Sequence, residues 1–207
     1  MRRLSPRVPV LAALAGLVTV TVSACGVGST PADADALATQ ASRLGVDPAL
    51  IFTTHVDGYD LAAQSVGPAD ADGLSATWVD EDTAAMITIR TSAGEPDARS
   101  CAALPLWDTG DEPATCTEVA TGLWHREGVQ VHEYLASRDG TTIWVFGANG
   151  TPADDLREAA EAARIPSDAE LEALFADAPT GDEVPVERGD LPEHGDGAPI
   201  QPTGPGG

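Results

Sequence analysis

Four histidines, three cysteines and 33 acidic residues are the side chains in this 207-residue chain best suited to ligate a metal, attack a substrate or move a proton. Nucleophilic catalysis needs a Ser or Cys beside a His and an orienting acid. No Gly-x-Ser-x-Gly run is present, and no catalytic residue is assigned. His125 and His132 flank the turn signal Glu127-Gly128. With a two-residue turn His125 opposes Gln130, and the two histidines become diagonal neighbours on one face of a hairpin that continues to Tyr134. His125, His132 and Tyr134 are therefore the candidate ligand-contact face. Glu127 or Asp139 would complete a metal set there, although a solvated strand face is the simpler reading. His55 and His194 stand alone. The acidic runs "DADG" (70–73) and "VDEDT" (79–83) lack the spacing of a calcium-binding EF-hand loop. No glycine-rich phosphate cradle is present. No metal and no cofactor are expected.

The third reactive group is Cys25. Before it come Arg2, Arg3 and Arg7, then an apolar stretch from Val8 to Ala24. This is the layout of a secretory signal, with a basic start, a short apolar middle and a small-residue exit. A spanning helix needs about 20 predominantly apolar residues, and this stretch is broken by Pro9, Gly16, Thr19, Thr21 and Ser23. Val22-Ser23-Ala24-Cys25 resembles a bacterial lipobox. The resemblance implies cleavage before Cys25 and a diacylglycerol on its thiol. One acyl chain holds a protein only marginally, whereas two or three on one cysteine hold it durably.

Charge narrows the partners. There is no lysine, and three of the 11 arginines precede Cys25, which leaves eight against 33 acids. Such a chain repels phosphate backbones, so nucleic acid is excluded as a partner. It is repelled by anionic lipid headgroups as well. The remaining cysteines, Cys101 and Cys116, bound the segment "CAALPLWDTGDEPATC". Two cysteines in an exported domain read as one disulfide, and closing a loop of that length is worth about 3 kcal/mol in the chain-entropy picture.

The elements that must position these groups follow from pattern. Residues 25–35 are small and polar, a flexible tether after the lipidated cysteine. A short helix is predicted from Ala36 to Leu44. "VDPALIFTTHVDGYDLAAQS" reads as extended chain with a turn at Asp57-Gly58. "GLSATWVD" and "TAAMITIRT" read as a strand pair around Glu81-Asp82, with Ile87 and Ile89 alternating against Met86, Thr88 and Arg90. Residues 122–149 read as a three-stranded meander turning at Glu127-Gly128 and Asp139-Gly140. One face then carries Trp124, Val129, Val131, Leu135, Trp144 and Phe146, and is predicted to be the core. "TPADDLREAAEAARIP" reads as a helix with Thr151 as N-cap and a stripe of Leu156, Ala159, Ala160 and Ala163. Ser167 and Glu170 form a capping box for a second helix. Residues 179–207 are rich in Pro, Gly and acids without periodicity, and are predicted to be a disordered tail.

Strands followed by closing helices predict an α+β fold: a curved antiparallel sheet with C-terminal helices packed on one side, in a single domain over residues 36–178. "GYDL" (58–61), "GLWHR" (122–126), "HEY" (132–134), "RDGTTIWV" (138–145) and "DLREAAEAARIPSDAEL" (155–171), with the two cysteines, resemble lipobox-type membrane lipoproteins of actinobacteria. The resemblance spans about residues 50–175 and implies a fold but no reaction. The expected protein is a non-catalytic binding domain on the extracytoplasmic face of the cell membrane. Its lipid anchor sits on Cys25, and its partner is an envelope protein, a cell-wall polymer or a small ligand. The alternative is a surface hydrolase or metal-binding protein using the His125/His132 face.

Overall fold

The computed structural model describes residues 30–107 and 114–178. The expected signal segment 1–24, the lipidation site Cys25 and the expected tail 179–207 lie outside the described residues. In chain order the elements are α1 (Ala34–Leu44), β1 (Asp60–Leu61), β2 (Gly67–Pro68), β3 (Leu74–Val79), β4 (Met86–Ala93), α2 (Ala98–Ala103), β5 (Thr115–Ala120), β6 (Leu123–Glu127), β7 (His132–Arg138), β8 (Thr141–Ala148), α3 (Ala153–Ala162) and α4 (Asp168–Leu174).

All strands join one open antiparallel sheet in the order β1-β3-β4-β8-β7-β6-β5, with β2 also on β3. The last strand of the meander, β8, returns to pair with β4 from Met86↔Ala148 to Ala93↔Thr141. That long pairing fuses the two halves of the chain into one sheet. The β7–β8 turn is the expected two-residue one: Arg138 faces Thr141, and Asp139 and Gly140 both take positive φ, 50° and 78°. Such a turn matches the strand twist and favours Asp-Gly.

One face of the sheet is covered by helices. Ile87, Ile89, Leu123, Tyr134, Ile143 and Val145 pack there with Leu156, Ala159 and Ala160 of α3, Leu37 and Ala41 of α1, and Leu171 and Leu174 of α4. The α+β architecture with helices on one side is therefore present. The choice of face differs from the prediction. Leu123, Tyr134, Ile143 and Val145 form the core, while Trp124, Leu135, Trp144 and Phe146 lie on the opposite, outer face. The stripe of α3 is mostly alanine, so that helix can lie close against medium-sized side chains. Alternation shows two faces but not which one the helices take.

The β6–β7 turn also differs. Glu127 pairs with His132 and Trp124 with Leu135, so the loop is Gly128–Val131 and Trp124 does not oppose Val131. Glu-Gly carries a weaker turn signal than Asp-Gly, and the longer loop brings Arg126 opposite Glu133. Thr151 does not cap α3; its hydroxyl accepts from Met86 N–H at 3.1 Å and donates to Met86 C=O at 2.7 Å, and Pro152 takes the cap position. The Ser167–Glu170 capping box forms as read. The stretch read as extended chain contributes 3-10 turns at Pro48–Leu50 and Ala63–Ser65, with only two residues in β1.

The expected tether is shortened from its C-terminal end. Pro31 bridges to Ser167, Ala32 N–H donates to Pro166 C=O at 2.8 Å, and Asp33 caps α1 through Ala36 N–H at 2.8 Å. Ala32 is buried. A proline and two small residues can pair with a second chain segment as readily as they can be flexible.

Gly147 lies on the helix-covered face of β8, and a Cβ there would stand 2.6 Å from Thr151 Cβ and 3.1 Å from Leu156 Cδ2. Thr151 is held by its bonds to Met86 and cannot retreat. Gly147→Ala is expected to destabilise the fold by about 1–3 kcal/mol, read from urea unfolding midpoints. An unchanged midpoint would show that α3 is not seated this tightly.

Candidate functional site

The outer face is built around two charges. Arg126 of β6 and Glu133 of β7 are cross-strand partners, and both are fully buried. Arg126 Nη1 lies 2.5 Å from Glu133 Oε2. The rest of the guanidinium donates to backbone: Nε to Cys101 C=O at 3.1 Å, and Nη2 to Leu104 C=O and, at 3.1 Å, to Pro105 C=O. The other Glu133 oxygen, Oε1, accepts from Trp107 N–H. Burial pushes the Glu133 carboxyl up, against the pull of Trp107 N–H, Arg126 and Trp144. The Trp144 indole N–H faces that carboxylate without completing a hydrogen bond of good geometry, and its ring lies 5.1 Å from the Arg126 guanidinium carbon. A buried charge is tolerated where it is paired and its remaining groups are bonded.

The bonds to backbone all run to the segment that joins β4 to β5. Its helix, α2, is capped reciprocally by Asp97 and Ser100. Cys101 is buried and disulfide-bonded to Cys116 of β5, with the Cα atoms 6.0 Å apart. Leu106 is buried as well. Trp107 stacks on Phe146 with ring centroids 4.5 Å apart, and the Arg90 guanidinium carbon lies over the Trp107 ring, 4.9 Å from its centroid. The crossover is thus fastened to the sheet by a disulfide, an ion pair and two aromatic contacts.

Between this crossover and the strands lies a cleft of about 290 Å³. Its apolar surface comes from Leu104, Leu135 and Trp144, and its rim carries Ser92, Glu95 and Thr142. A second hollow of about 90 Å³ adjoins it across Ser92 and Trp144, with Arg90 in its wall. Concave, mostly apolar surface with a few placed polar groups is the form small-ligand sites take. Glu95 lines the cleft and Arg90 the adjoining hollow, so the combined surface carries both a carboxylate and a guanidinium. Sequence reading missed this site. The signal was an Arg and a Glu alternating in register with Trp124, Leu135 and Trp144, a pattern that is out of place on a solvated face.

The face read from sequence lies on the other side of the sheet. His125 and His132 do meet, with Nε2 of the first 3.1 Å from Nδ1 of the second. Their ring planes differ by 10° with centroids 5.3 Å apart. That separation is close to the nitrogen distance plus two ring radii, so the rings lie edge to edge and the bond is in line. Tyr134 is not an exposed contact. It is buried beneath α3, stacked 4.8 Å from the His125 ring, with Asp154, Arg157 and Glu161 of α3 acting on its hydroxyl. Among the described residues, no group of three or more His, Cys, Asp or Glu side chains is arranged to hold a metal ion. In a hydrogen bond between these two ring nitrogens one ring donates and the other accepts, the roles being set by the tautomers.

Two outcomes follow. Arg126→Met leaves Glu133 buried without its partner and is expected to cost about 3–5 kcal/mol, while adding Glu133→Leu restores much of that loss. Urea unfolding of the two variants checks this, and a single variant as stable as the double would refute it. The second concerns pH. Burial, then His132, hold His125 below its ordinary value, against Glu127. The unfolded chain therefore takes a proton near pH 6.5 that the folded chain refuses. His125's contribution is intact above that pH and lost as pH falls below it. Glu170, held down to about 2 by Arg164, loses its contribution between the ordinary carboxylate range and about 2, below the pH at which the His125 loss begins. His125→Gln is expected to flatten the fall in unfolding midpoint between pH 7.5 and 5.5, and an unchanged slope would contradict it. No protein-family model, no curated protein and no solved structure matches this chain.

Proposed function

We propose that this chain is a lipid-anchored envelope protein on the extracytoplasmic face of the cell membrane, and that its folded part is a non-catalytic binding domain. The ligand is a small molecule, or the end of an envelope polymer or partner protein, seated in the outer-face cleft. One observation carries the reading: the wall of that cleft is held by the Cys101–Cys116 disulfide. Disulfides persist in oxidising compartments outside the cytosol, where the apolar segment before Cys25 would send the chain. A lipid on Cys25 supports a membrane address for a chain in which no described helix is long and apolar enough to cross a bilayer.

Cys25→Ser is the direct test. The unaltered protein is expected to partition with detergent and membranes, and its N-terminal peptide to carry the mass of a lipid. The serine variant is expected in the medium, or uncleaved. A serine variant that loses its signal and still fractionates with membranes would overturn the anchor.

A further inference from the structure

If the anchor is on Cys25, only residues 26–30 separate it from Pro31, which is already paired to Ser167. Fully extended, the chain from Cys25 to Pro31 spans about 20 Å. A folded unit of roughly 150 residues has a radius of gyration of about 15 Å and hence a diameter near 40 Å. The leash is half as long as the body it holds. Its attachment point belongs to the helix layer, since Pro31–Asp33 lie against Pro166 and Ser167 at the start of α4. The cleft opens on the other face of the sheet.

We infer that the bilayer is the partner of the helix-layer end bearing Pro31, Asp33, Asp35 and Asp168, and that the leash holds this end toward the lipid so that the outer-face cleft opens away from the membrane. This rests on the anchoring proposed above. Turning the cleft to the bilayer would require the leash to reach around the edge of the sheet from the helix layer, and a leash half the domain's diameter opposes that turn. Asp33, Asp35 and Asp168 are exposed, and anionic headgroups repel them within a Debye length of about 8 Å, so this end faces the bilayer without inserting into it. The arrangement suits a receptor for something outside the membrane, such as a soluble ligand or wall polymer, and not for a lipid headgroup of its own bilayer.

The test uses the full lipidated protein on phosphatidylcholine vesicles doped with a gadolinium-chelate lipid, with methyl relaxation as the readout. Ala34 and Ala169 at the anchored end are expected to relax several-fold faster than Leu104 at the cleft. Inserting a flexible Gly-Ser segment of about ten residues after Thr30 is expected to remove most of that difference. Equal relaxation at both ends of the unaltered protein, or faster relaxation at Leu104, overturns the orientation while leaving the anchor standing. Failure of the unaltered protein to bind the vesicles at all overturns both.

Discussion

Taking a guanidinium and a carboxylate out of water is costly, and the outer face of this sheet is organised around making that burial tolerable. Arg126 and Glu133 have no exposed surface. Each satisfies the other, and both use their remaining valences on one stretch of backbone, from Cys101 to Trp107. The same bonds that spare the charges hold that stretch on the sheet. Removing Arg126 does more than delete an ion pair: it leaves the Glu133 charge in an apolar layer and frees the carbonyls of Cys101, Leu104 and Pro105. The disulfide acts on the same segment by different physics, restricting the unfolded chain and tying α2 to the edge strand β5. Together they turn a crossover that could have been a loose loop into a wall.

The two faces of the sheet are therefore held by different forces. The helix side is a conventional apolar core, where Ala159 and Ala160 let α3 approach Ile143 and Val145 closely. The outer side has little helix to cover it, and its apolar residues are Trp107, Trp144, Phe146 and Leu135, partly buried by the crossover and partly lining the cleft. Division of labour follows from that asymmetry. Stability comes mainly from the helix side, and a surface able to recognise something is left on the other, on rigid strands and not on a loop.

Much of this architecture was legible in the residues. The Ser167–Glu170 box, the alanine stripe of α3, the Asp139-Gly140 turn and the alternation of Ile87 and Ile89 are local signals with local causes, and each appears in the structure. What failed were decisions that depend on distant partners. Whether the helices cover the Leu123–Tyr134–Val145 side or the Trp124–Leu135–Trp144 side is settled by α3, which lies later in the chain. The register of β6 on β7 is settled by Arg126 meeting Glu133, a pairing that the Glu127-Gly128 turn signal hid. The histidine contact arises in either register, because a diagonal neighbour on one side becomes a diagonal neighbour on the other. Tyr134, read as part of a candidate contact face, is covered by α3 for the same reason that the core face was misplaced. Pro31–Asp33 looked like linker because small residues and proline are ambiguous until a second segment, here Pro166 and Ser167, is brought beside them.

The claim that the buried pair fastens the crossover is tested most directly at the Trp107 amide, whose proton is given to Glu133. Native-state hydrogen exchange reads it without any mutation. If the pair holds the crossover, this amide exchanges as slowly as those of β7, through global unfolding alone. Exchange near the random-coil rate at Trp107, with β7 still protected, would show that the crossover opens freely and that the ion pair does not build the wall of the cleft.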